Sequence, residues 1–165
     1  MNKFKALPSI DRLKEAFYID EDGVLRWARK PHLRCKHINA GDAAGSITDT
    51  GYLRVCLDKE TYYCHRIIWK IQTGFDPGQM EVDHINRNPL DNRIENLRLA
   101  TTWQNSLNRT RTPKNKTGEQ CVFTTGRKRS PFKVVISNKH VGSFSSIEEA
   151  AWARDSYKRL VWGEG

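Results

Sequence analysis

Between Arg109 and Gly118 the chain reads RTRTPKNKTG, ten residues without one apolar side chain. No core can run through such a stretch, because only buried apolar surface offsets the entropy lost when a chain is ordered. The 165 residues are therefore expected to form two modules, each with its own small core. The expected boundaries are a first module at 1–108, an exposed basic linker at 109–117, and a second module at 118–165.

Charge follows the same division. The net charge is +9, and residues 1–100 carry 16 basic against 14 acidic side chains, whereas residues 101–165 carry 12 against 5. From 109 to 139, nine basic residues meet a single acid, Glu119. Such a field captures polyanions, so double-stranded DNA is the expected partner; a basic surface with no special partner is the alternative. No apolar run is long enough for a membrane helix or a secretory leader, so no membrane partner is expected. The four cysteines, Cys35, Cys56, Cys64 and Cys121, form no CxxC pair. A reducing intracellular compartment, with free thiols, fits that usage.

The expected fold class is α+β. SIDRLKEAFYI has a Ser start and apolar residues near helical spacing, so it reads as a short helix. An Asp-Gly turn follows, then a hairpin strand around Val24 to Trp27. Strands are expected at 52–57 and 61–64, and a helix from His65 to Thr73 that Gly74 ends. Thr101 or Thr102 can cap a helix carrying Asn105. In the second module, strands are expected at 119–124, 131–136 and 139–144. A helix beginning at Ser145 or Ser146 would pack behind them through Trp152, Ser156 and Tyr157.

The segment EVDHINRNPLDNRIENLRLATTWQNSLN, residues 81–108, holds one Asp-His pair and six asparagines. Asn and Asp stabilise turns by bonding their own backbone, and Asn86, Asn88 and Asn92 are read mainly in that way. The other residues suit phosphodiester cleavage. His84 can accept a proton near neutrality. Asp83 offers a hard oxygen for magnesium or manganese, and Asn105 can add an amide oxygen from the following helix. On a strand, Asp83 and His84 point to opposite faces and can do separate jobs. Asn96 can bond loop backbone or hold the His84 ring.

The stretch from Tyr62 to Asn108 resembles the HNH nuclease family, in the form seen in phage and intron-encoded homing endonucleases. The lead-in from YIDEDGVLRWARK through GYLRV is similar to theirs as well. That resemblance implies a ββα-metal core, two strands, a loop and a helix around one divalent ion, behind a small N-terminal β/α lead-in. It implies Asp83 and Asn105 as ligands of Mg2+ or Mn2+, His84 as general base, and Asn96 as the residue placing it. His65, in its His-Arg pair, recurs in such proteins, as a site residue or as a packing one. Arg66, Arg93 and Arg98 are candidate phosphate clamps, and Asn108 a candidate contact to the DNA backbone. The implied setting is the cytoplasm of a host cell.

TGEQCVFTTGRKRSPFKVVISNKHVGSFSSIEEAAWARDSYKRL resembles the AP2-like DNA-binding domain, a three-stranded sheet that enters the major groove with a helix packed behind. Cys121 before Val122 departs from that family's usual Gly-Val pair. Arg127, Lys128, Arg129, Lys133 and Lys139 would face DNA, and Arg109, Arg111, Lys114 and Lys116 of the linker would track its backbone or its minor groove. The combined expectation is a site-specific, metal-dependent DNA endonuclease of homing type. It would hydrolyse P–O3′ bonds to 5′-phosphate and 3′-hydroxyl ends, as a nick or a double-strand break, acting as a monomer or a dimer. The rivals are a DNA-binding regulator with a vestigial nuclease site, and a restriction-type or non-specific nuclease.

Overall fold

The structure, a computed structural model, describes residues 4–31, 37–108 and 115–162. The chain divides into two compact units, Met1–Asn108 and Arg109–Gly165.

The first unit opens with α1 (Ile10–Ala16), whose N-cap Ser9 accepts a hydrogen bond from the Arg12 backbone N–H at 3.3 Å. The helix stops at Phe17, which is extended. Phe17 to Ile19, expected to continue the helix, instead form strand β1 (Phe17–Ile19) and pair antiparallel with β2 (Leu25–Trp27). The reason is local. Asp20 Oδ1 accepts from the Val24 and Asp22 backbone at 2.8 and 3.1 Å and closes the turn, and Phe17 then packs on Trp27 with ring centroids 4.6 Å apart. Two buried aromatic faces outweigh a weak helical preference at β-prone Phe, Tyr and Ile.

A second sheet follows in the order β3 (Ser46–Ile47), β4 (Leu53–Leu57) and β5 (Glu60–Tyr63), all antiparallel. Its inner face contributes Val55 and Leu57 to the core. Helix α2 (Cys64–Thr73) lays Cys64, Ile67 and Ile68 into that core beside Leu13, Phe17 and Val82. It ends where expected, at Gly74 in the left-handed region (φ 79°), whose N–H bonds Lys70 O. Burial pushes the Cys64 thiol up to about 12, so this cysteine packs as a small apolar group.

The last part of the unit is a ββα arrangement. Strand β6 (Glu81–His84) pairs antiparallel with β7 (Leu97–Ala100), and α3 (Thr102–Asn108) follows and packs on both. A loop and one 3-10 turn (Ile94–Asn96) join the strands.

The second unit is a three-stranded antiparallel sheet, β10 (Lys139–Phe144), β9 (Phe132–Ile136), β8 (Val122–Thr124), with helix α4 (Ile147–Trp162) packed on it. The first strand is shorter than expected, because Cys121 takes a positive φ of 63° and residues 119–121 turn. Val122, Val134, Ile136 and Ala150 are fully buried between sheet and helix. Trp152, expected on the inner face, is 69% exposed. Ala150, Arg154 and Tyr157 recur at i, i+4 and i+7 and define the side that meets the sheet, which turns Trp152 outward. Arg154 anchors that side, donating to Glu119 Oε2 at 2.6 Å and Gln120 O at 3.3 Å.

Candidate active site

All four residues of β6 are buried. The pleat separates them into two faces. Val82 joins the core, so His84 lies on the core face too, while Glu81 and Asp83 lie on the other. Register places Arg98 opposite Asp83, and its Nε donates to Asp83 Oδ2 at 3.2 Å. Asn105 reaches the same face from α3, and its Nδ2 donates to Glu81 Oε2. Asp83, Glu81 and Asn105 thus share one face of the hairpin, two carboxylates and an amide. With Nδ2 committed to Glu81, the amide oxygen is the Asn105 atom suited to a cation. Glu81 is a residue that the sequence reading did not single out.

The other face holds a ring cluster. His84 meets His65 of α2 edge to face, with centroids 5.2 Å apart. Tyr63 stacks on His65 at 5.3 Å, and Tyr52 touches Tyr63, His65 and His84 at 5.9, 5.5 and 5.9 Å. His65 is 6% exposed, and its Nδ1 is buried with no hydrogen-bond partner among the described residues. Burial first, then the neighbouring His84 and Arg66, hold its pKa down to about 3. His65 is therefore neutral at every working pH.

The asparagines divide differently from the expectation. Asn92, read as a turn former, is buried, and its Oδ1 lies 2.9 Å from His84 Nε2. A carboxamide oxygen only accepts, so Nε2 carries a proton, which in the neutral ring leaves the lone pair on Nδ1. Asn96 takes the loop-bonding alternative. Its Oδ1 accepts from Asn86 N at 2.9 Å, and its Nδ2 donates to Asn86 Oδ1 at 3.0 Å and Asp91 O at 2.7 Å. Its own backbone carbonyl accepts from Ile85 N at 2.9 Å. Asn96 therefore fixes the loop that delivers Asn92. Asn86 and Asn88 cap turns within that loop, as expected, through bonds to Asn88 N and Leu90 N.

The three candidate phosphate clamps are committed elsewhere. Arg66 donates to Met80 O at 2.7 Å and Gly78 O at 2.6 Å, Arg93 chelates Asp91 at 2.8 Å, and Arg98 holds Asp83. The Asp91 carboxyl is held far below its ordinary range, chiefly by the Arg93 hydrogen bonds. Among the described residues, no group of three or more His, Cys, Asp and Glu is placed to hold a metal ion. A pair of one carboxylate and one amide is a smaller set than that.

A profile described as HNH endonuclease matches residues 62–107, the stretch that carries the ring cluster, the β6–β7 hairpin and α3. A protein named Protein 3.8 of Escherichia phage T7 is 42% identical over 100 residues, which cover 58% of this chain and 82% of that protein. The chain carries an HNH endonuclease domain. An uncharacterised HNH endonuclease of Acanthamoeba polyphaga mimivirus is 36% identical over 101 residues, 61% of this chain. The match spans about half of that relative's length, 53%. No solved structure matches. The matched stretch contains Asp83, His84, Asn96 and Asn105, and the structure seats the first two on opposite faces of one buried strand.

In the second unit, register sets Phe123, Lys133 and Ser143 side by side across the sheet on the face away from α4. His140 joins them, its Nε2 3.1 Å from Ser143 Oγ. Arg127, Lys128 and Arg129 are exposed on the β8–β9 turn, which Thr125 closes through Pro131 O and Ser130 O at 2.8 and 2.7 Å. Lys139 is not with them; it pairs with buried Ile136, and its ammonium lies 5.7 Å over the Tyr157 ring of α4. Lys116 is exposed, while Arg109, Arg111 and Lys114 lie outside the described residues, as does the Asn108 side chain. No helix among the described residues is long and apolar enough to cross a membrane.

Proposed function

We propose that the chain is a metal-dependent DNA endonuclease of homing type that hydrolyses a P–O3′ bond, leaving 5′-phosphate and 3′-hydroxyl ends. The observation that carries this reading is the two-faced strand. A buried histidine with its tautomer set by Asn92 stands beside a carboxylate whose face also receives an amide from α3.

His84 is the general base. Its Nδ1 takes the proton of the attacking water, and the Nε2–H bond to Asn92 steadies the imidazolium that forms. Asn96 acts through the loop and keeps Asn92 in place. Asp83 and Asn105 would hold Mg2+ or Mn2+, for which an all-oxygen donor set is suited, and Glu81 orients the Asn105 amide. A bound ion of that kind supplies Lewis-acid stabilisation of the phosphoryl oxygens and of the departing 3′ oxygen. Neutral His65 and the two tyrosines exclude bulk water from the inner side of His84.

The second unit is the reader, an AP2-like module laid into the major groove. Phe123, Lys133, Ser143 and His140 form its groove-facing row, and Arg127, Lys128 and Arg129 grip the flanking strand. Lys116 and the linker cations add backbone contacts. Replacing Asp83 or Asn105 by alanine tests the metal assignment. Cleavage should fall at least about tenfold, with a raised metal requirement. Unchanged metal dependence in both variants would remove these residues from the ligand set.

A further inference from the structure

The first unit neutralises most of its arginines internally. Arg12, Arg26, Arg29, Arg93 and Arg98 each meet a carboxylate, and Arg66 is spent on two carbonyls. Arg54 pairs with no carboxylate among the described residues. It stands exposed on β4, on the face of the sheet opposite buried Val55 and Leu57, between Ser46 of β3 and Tyr63 of β5. Its Cζ sits 5.2 Å over the Tyr63 ring. A cation–π contact holds a guanidinium in place without cancelling its charge, and leaves its N–H edge to donate.

The position of that charge is informative. Tyr63 stacks on His65, and His65 meets His84 edge-on, so two rings lie between Arg54 and the proposed base. It also borders a cleft of about 490 Å³ whose wall includes Thr61, Tyr63, Arg66 and the Lys5–Glu60 ion pair. We infer that Arg54 is a phosphate-binding residue that grips the DNA backbone beside the bond to be cut, a task that Arg66, Arg93 and Arg98, already bonded to carbonyls and carboxylates, do not take. It positions the substrate, and Tyr63 couples that grip to the His84 cluster. The inference rests on the nuclease reading for its meaning, and on geometry alone for the contact itself.

Binding tests it without chemistry. The full chain is titrated with a fluorescent 30-base-pair DNA duplex in EDTA at a series of salt concentrations. Each phosphate contact adds about 0.9 to the slope of log affinity against log salt. Arg54→Gln and Arg54→Met should each lower the slope by about one contact, and Arg54→Lys should keep it. Arg26→Gln, whose arginine is paired with Asp20, is the control and should leave the slope unchanged. Arg54→Met retains the stem over Tyr63, so it stands in for Arg54→Gln if that variant misfolds. A folded Arg54→Met protein with the wild-type slope would overturn the inference. If the slope drops but wild-type protein cuts no DNA in magnesium, the phosphate contact stands and the nuclease reading fails.

Discussion

Replacing Asn92 by leucine preserves size and removes the acceptor for His84 Nε2, 2.9 Å away in a buried setting. A donor left buried and unpaired costs about 1–3 kcal/mol, and that should be the stability loss on urea unfolding. The same bond fixes the tautomer that leaves Nδ1 basic. Losing an orienting partner of this kind costs roughly 10–100-fold in rate, about 1.4–2.7 kcal/mol of barrier. Asn92→Asp keeps an acceptor oxygen and should retain most of the activity. The assay is single-turnover nicking of supercoiled plasmid in magnesium, beside equilibrium DNA binding. Binding should be unchanged in both variants, since Asn92 is buried. If Asn92→Leu nicks within about twofold of wild type, Asn92 does not set the base, and the reasoning from its geometry fails.

Three further outcomes are expected. His65 has a folded pKa of about 3 against an ordinary 6.5, so the unfolded chain takes up its proton first as pH falls. Its stabilising contribution is complete above about pH 6.5 and is lost toward pH 3, at up to about 1.4 kcal/mol per pH unit. Thermal unfolding of wild type should thus fall more steeply across that window than that of His65→Phe, and parallel curves would refute the assignment. Trp152→Ser should change stability by less than about 0.5 kcal/mol by denaturant unfolding, because the side chain is 69% exposed; a core-sized loss would place it in a packed interface. Deleting 117–165 should broaden the range of sequences cut in a plasmid library while leaving the chemical step intact; unchanged site choice would remove the reader role.

Much of this was legible in the sequence because it depends on period and chain order. Gly74 ends α2, and the alternation of β6 puts Asp83 and His84 on opposite faces. What escaped depends on which of several equivalent groups a loop delivers. Asn92 and Asn96 carry the same amide, and nothing in DNRIEN says which one meets the imidazole; the fold of the 85–96 loop decides it. Lys133 and Lys139 look alike in FKVVISNKH, yet the β9–β10 register puts them on opposite faces. Trp152 drew the helix's inner stripe toward itself by size, whereas Ala150 at zero exposure marks where the sheet actually sits. Arg54 gave no signal at all, since its interest lies in the carboxylates its neighbours have and it lacks.

The proposed role of His84 as the base of a metal-dependent DNA-cutting site is decided by incubating supercoiled plasmid carrying a cognate-site library with full-length protein and magnesium, for wild type and His84→Ala at matched DNA binding. Wild type should convert closed circles to nicked or linear DNA with 5′-phosphate ends, and His84→Ala should be slower by at least about 100-fold. Equal cutting by both proteins, or no cutting by wild type in magnesium or manganese, would contradict it.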